Sequence, residues 1–249
     1  MTIRGCPLLR VGVAGAALVL AGGCSVQQSE AKSPISAGSC PEKVVQLIDS
    51  AKTPAEELDV MVDKSKSYVG SDAAVARMER QVQAAVSKAV DTGAALRVSV
   101  FVGSVATVDD VVVCPTMAAK FNNDSAKPSR VAYLKKVAVD EVLAAVRDAK
   151  PSKGGKGTSV VGGWAAMAAA TPLADQRHAV MLSDGRGGQE DVPVKLRGFA
   201  TVGMYSVGRT ADGTADTEST EKLVTRWKKW LTRHGAAPGG LTVTSGELQ

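Results

Sequence analysis

The chain has 249 residues, 45% of them hydrophobic and 22% charged, with only 4% aromatic side chains. Those proportions exclude a disordered or fibrous chain, and they require a core built from Val, Ala and Leu. A formal charge of +5 without a long basic run gives no reason to expect a nucleic-acid partner.

In chain order, residues 1–10 carry Arg4 and Arg10 and no acid, and residues 11–23 are an uncharged run of Val, Ala, Leu and Gly. This is the layout of a signal peptide, and the apolar run is short of the roughly 20 residues that a spanning helix needs. Leu20-Ala21-Gly22-Gly23-Cys24 resembles the bacterial lipobox, with Ala21 where that motif prefers Leu and Leu20 one place earlier. The resemblance implies that residues 1–23 are removed and that Cys24 carries the lipid of a bacterial lipoprotein. The protein is then expected on the extracytoplasmic face of a cell membrane, held there by acyl chains. Residues 24–39, rich in Ser, Gln, Ala and Lys, read as a flexible tether with a typical span of roughly 20 Å. Residues 40–249 read as one folded domain, since about 210 residues suffice for a single sizeable core. Cys40 and Cys114 remain once Cys6 is removed and Cys24 lipidated, and an oxidising compartment leads to the expectation of a disulfide between them.

The domain alternates strand and helix signals. Residues 43–48 (KVVQLI) form a β-branched run ending at Asp49, as a buried parallel strand would. Ser71 or Asp72 can cap a helix reaching Val90, with Val75, Met78, Val82 and Val86 at spacings of three and four. Residues 96–102 and 110–113 are Val-rich strands, the second a candidate antiparallel edge. A helix follows a cap at Ser129 and carries Leu134, Val137, Val142 and Val146. A glycine loop, Gly154-Gly155-Lys156-Gly157-Thr158, precedes an Ala-rich helix over 160–170. Strands at 178–182 and 199–207 and a helix over 217–234, apolar through Leu223, Val224, Trp227, Trp230 and Leu231, complete the pattern. The expected fold class is α/β, a mostly parallel sheet with helices on both faces.

In such a sheet, functional groups collect where strands end. Asp49-Ser50-Ala51-Lys52-Thr53, Gly157-Thr158 and Ser183-Asp184-Gly185 resemble the three pieces of the metal-ion-dependent adhesion site in von Willebrand factor A domains. Those pieces are D-x-S-x-S after the first strand, a Thr in a later glycine loop, and Asp-Gly after the fourth. The resemblance spans most of residues 42–235 and implies a Rossmann-like domain that binds a protein through Mg²⁺ or Mn²⁺. In that family the first-loop hydroxyls ligate the cation, and an acidic side chain of the partner takes the open position. Hard oxygen donors suit such a cation. The resemblance implies Asp49, Thr53, Thr158 and Asp184 as ligands, with Ala51 in place of one hydroxyl, hence weak or absent metal dependence. The expected function is a non-catalytic, membrane-anchored protein-binding module for an envelope partner. The competing readings are a metal-free structural subunit of an envelope complex and a phosphatase similar to the haloacid dehalogenases with Asp49 as nucleophile. In the phosphatase reading, Ala51 stands where the acid/base Asp belongs, removing a contribution of about 10²–10⁴ in rate. Residues 153–159 (KGGKGTS) lack the order of a phosphate-binding loop, so no nucleotide is expected. His178 and His234 have no paired partner and read as structural or exposed.

Overall fold

The computed structural model describes residues 39–102, 108–150, 159–187, 192–212 and 217–249. Cys24, Thr158 and all of the segment read as leader and tether except Ser39 lie outside the described residues. In chain order the elements are α1 (Glu42–Val45), β1 (Glu56–Asp63), α2 (Lys66–Val69), α3 (Asp72–Thr92), β2 (Ala95–Phe101) and β3 (Asp109–Cys114). They continue with α4 (Lys127–Asp148), α5 (Val160–Ala169), β4 (Gln176–Leu182), β5 (Phe199–Tyr205), α6 (Thr217–Arg233) and β6 (Leu241–Val243). Among the described residues none of the helices is long and apolar enough to cross a membrane.

The strands form one sheet in the order β3-β2-β1-β4-β5-β6. Every neighbouring pair is parallel except β2 with β3, so the expected antiparallel edge is where the sequence put it. Alternation along β1 sends Leu58, Val60 and Val62 into one core with Met78, Val82 and Val86 of α3 and Leu134, Val142 and Val146 of α4. Met61 points the other way, into a second core with Met181, Met204, Trp164 of α5, and Trp227 and Leu231 of α6. Helices therefore cover both faces, as the fold class required.

The first strand is where the sequence reading fails. Residues 43–48 are not a strand: α1 occupies Glu42–Val45, and Ile48 makes only an isolated antiparallel bridge to Ala119. The strand that takes its place, β1, pairs with β2 and β4 at the centre of the sheet. Its apolar run is interrupted by Glu57 and Asp59, which hides it from a search for continuous hydrophobicity. Both acids are buried, and Arg97 and Arg177 make that possible. Arg97 lies 3.4 Å from Glu57 and 3.3 Å from Asp59, and Arg177 lies 3.4 Å from Glu57 and 2.5 Å from Asp59. Burial and the Glu57 charge still push the Asp59 carboxyl up to about 7 against the pull of the two arginines. The same arginines bind the end of the α5 layer, donating to the carbonyls of Thr171 and Met167.

The helices follow their local signals. Ser71 accepts from the amide of Ala74 at 3.2 Å to open α3, and Gly93 closes it at φ 68°, a left-handed conformation that suits glycine. Ser159 caps α5 through the amide of Gly162. The helix expected from Ser129 begins slightly earlier, at Lys127, after a 3₁₀ turn at Asp124–Ala126 capped by Asn123. Trp227 and Trp230 are buried and fix α6 to the sheet. The Cys40 and Cys114 sulfurs lie at disulfide-bonding distance, 2.06 Å. They join the segment ahead of α1 to the end of β3 opposite Leu96, which is the amino edge of the parallel strands.

Candidate functional site

Two parallel neighbours, β1 and β4, end side by side at the carboxyl edge of the sheet, β1 in Asp63 and β4 just ahead of Ser183-Asp184-Gly185. Asp63, Ser183 and Asp184 are all fully buried. Asp63 Oδ1 accepts from the Ser65 amide at 2.8 Å, and Oδ2 accepts from Ser183 Oγ at 2.7 Å. Burial outweighs these bonds and, with the neighbouring Asp184 charge, pushes the Asp63 carboxyl up to about 6.

The chain leaving Asp63 turns at once into α2, with Ser65 at its N-cap position. The turn brings Ser65 Oγ and Ser67 Oγ to 3.0 Å from each other. Past the end of the neighbouring strand β4, Asp184 Oδ1 accepts from the Arg186 amide at 2.9 Å, while Asp184 Oδ2 is buried with no hydrogen-bond partner. An unpaired buried carboxylate oxygen is costly. Gly185 shapes the rim with φ 68°. Its carbonyl accepts from Trp227 Nε1 at 3.0 Å and from Arg226 at 3.1 Å, and a Cβ there would lie 2.8 Å from Trp227 Nε1. Beneath the loop, Gln81 of α3 donates to Tyr68 Oη at 3.1 Å and to Ser206 Oγ at 3.0 Å. Burial raises the Tyr68 phenol above its usual range, so it stays neutral.

These residues read Asp63-Lys64-Ser65-Lys66-Ser67, the D-x-S-x-S pattern that the sequence reading sought at Asp49 and found incomplete. The structure separates the residues expected to act together. Asp184 is at the carboxyl edge as expected. Asp49 follows α1 and donates its amide to the Ala118 carbonyl at 2.8 Å, beside Met117, which bonds to Ala94 just ahead of β2. That is the amino edge. Thr53 also precedes β1, so the length of the strand, about 23 Å at 3.3 Å per residue, lies between these two residues and Asp63. Asp49 and Thr53 therefore do not join Asp184, and Ala51 lies with them at the amino edge. Nor does Asp49 stand at a strand end, the place a phosphatase nucleophile would take. Thr158 lies outside the described residues. Ser159, which follows it, opens α5, and α5 runs from the carboxyl edge back towards Thr171 at the amino edge.

The donors suit a small hard cation. Octahedral Mg²⁺ with oxygens at about 2.0–2.1 Å sets adjacent ligands about 2.9 Å apart, close to the separation of the two serine oxygens. The unpartnered Asp184 oxygen supplies charge. Among the described residues no group of three or more His, Cys, Asp or Glu side chains is arranged to hold a metal, so a cation here would depend on hydroxyl donors beside the carboxylate. The two histidines are engaged elsewhere, His178 with Thr201 at 2.8 Å and His234 stacked on Trp230.

No family model matches the chain, and no curated protein matches it. Among solved structures it is similar to an aerotolerance-related membrane protein from Bacteroides fragilis, at 16% identity and a TM-score of 0.39. The match covers 75% of this chain and 90% of that one.

Proposed function

We propose that the protein is a lipid-anchored, extracytoplasmic protein-binding module of the von Willebrand factor A type, and that it captures its partner through a divalent cation. Asp184, Ser65 and Ser67 would hold Mg²⁺ or Mn²⁺, with Thr158 as the expected further hydroxyl. Asp63 orients the loop by accepting from the Ser65 amide and Ser183. The cation, when bound, supplies an open position for a carboxylate of the partner. The observation that carries this reading is a complete D-x-S-x-S run whose two hydroxyls lie 3.0 Å apart just past the end of β1, at the same strand-end edge as the buried, unpartnered Asp184 oxygen. Lipid on Cys24 would keep that edge close to envelope partners.

A metal-free structural subunit is the second reading, favoured by one feature: both Asp63 oxygens already have protein donors. Pull-down from solubilised membranes with and without EDTA separates the two. Cation-dependent binding predicts that EDTA and Asp184→Ala each abolish capture of the same partner, while capture unchanged by both supports the metal-free subunit.

A further inference from the structure

The amino edge of the sheet, opposite the proposed cation site, carries a basic pocket where the chain enters the domain. Its cavity of about 220 Å³ is lined by Gln46, Leu47, Lys120, Phe121, Asn122 and Arg130. The backbone there is fixed by the Lys120 amide, which donates to the Leu47 carbonyl at 2.8 Å. Lys127 extends the patch with its ammonium 5.7 Å from the Phe121 ring centroid. Cations elsewhere on these helices are neutralised: Lys43 by Glu141, Lys135 by Asp91 and Lys136 by Asp140. Among the described residues Lys120, Lys127 and Arg130 take part in no salt bridge, and all three are exposed. Glu42 and Asp124 are the exposed acids that flank them, and Glu42 already accepts from Gln46.

Two exposed large apolar side chains are found among the described residues, each within three positions in sequence of a residue that lines the pocket. Val45 is 48% exposed on α1, and Tyr133 is 54% exposed one helical turn beyond Arg130 on α4. Tyrosine beside unpaired cations suits the boundary between water and lipid headgroups. The chain's own connectivity says which surface is near. Cys40, the attachment point of the preceding segment, is bonded to Cys114 at this same edge. Fifteen residues separate Cys24 from Cys40 in the sequence, a typical span of roughly 20 Å.

We infer that the patch around Lys120, Lys127, Arg130 and Tyr133 docks on an anionic lipid surface, its cations on headgroup phosphates, turning the Asp63–Asp184 edge away from the membrane and towards partners. The inference rests on the reading of Cys24 as the lipid anchor. Three near-surface cations give a preference for anionic over neutral lipid on the order of a hundred-fold. The tether makes even a weak contact effective by holding the patch at high local concentration.

Hydrogen exchange on the full acylated chain in lipid nanodiscs tests this, comparing phosphatidylcholine alone with about 30 mol% phosphatidylglycerol. Docking predicts several-fold slower exchange over residues 117–135 in the anionic discs, lost in Lys120→Glu/Arg130→Glu and kept in Lys228→Glu/Lys229→Glu on α6. Equal exchange in both lipids, protection over 222–233 instead, or the same protection produced by inorganic phosphate in neutral discs each overturns it. A chain that does not partition into neutral discs overturns the Cys24 anchor alone. The anionic discs then decide the docking, with protection over 117–135 upholding it and none refuting it.

Discussion

Breaking the Cys40–Cys114 link should loosen the amino edge of the sheet by a calculable amount. The two cysteines are 74 residues apart in sequence, and closing a loop of that size in the unfolded chain corresponds to about 4 kcal/mol at 25 °C. Val44 and Ile48 pack in the core with α3 and α4 independently of the sulfur bridge, and the unfolded chain retains some compactness of its own. The full entropy difference is therefore an upper bound, and a loss of about 2–4 kcal/mol is expected. For a domain of about 210 residues that is a fall in Tm of roughly 5–15 °C. Urea unfolding with and without reductant, with the thiols counted by alkylation and mass, measures it. The Cys40→Ala/Cys114→Ala chain should behave like the reduced protein. A midpoint that does not move on complete reduction would refute the loop argument, and two alkylatable thiols in the untreated chain would refute the bond.

Gly185→Ala forces a side chain into a left-handed turn and against Trp227, so a loss of about 2 kcal/mol or more is expected in urea unfolding. Arg177→Met strips two buried carboxylates of a partner and should cost about 3–5 kcal/mol, read as a lower Tm. Asp63 titrates at about 6 in the fold against its usual 3.8, so the folded state holds the extra proton between those values. Stability should fall as pH rises from about 4 to 6, by an amount on the order of 3 kcal/mol. Asp63→Asn should flatten that segment of the pH–stability curve and leave the decline up to about pH 7 that Asp59 contributes.

Much of the fold was legible because helix signals are local. The Ser71 cap, the spacing of Met78, Val82 and Val86 and the two tryptophans of α6 all act within a few turns, and each lies where the pattern put it. The central strand was not legible, because Glu57 and Asp59 are tolerated in it only through Arg97 and Arg177, which arrive from β2 and β4. No local pattern announces that compensation. The site inherited the error. Asp184 follows a strand of ordinary composition, so its strand-end position was legible, whereas Asp63, Ser65 and Ser67 lie behind a strand that reads as too acidic. The signal was nonetheless present, since the D-x-S-x-S spacing is complete at Asp63–Ser67 and incomplete at Asp49. The β6 strand, three residues long, is too short for any periodicity to mark.

Calorimetric titration of Mg²⁺ into the protein, its Ser65→Ala/Ser67→Ala variant and its Asp49→Ala variant tests the cation site most directly. The account predicts saturable binding by the parent chain and by Asp49→Ala, and its loss in the double serine variant. Binding that survives removal of both hydroxyls, or that disappears with Asp49, would contradict it.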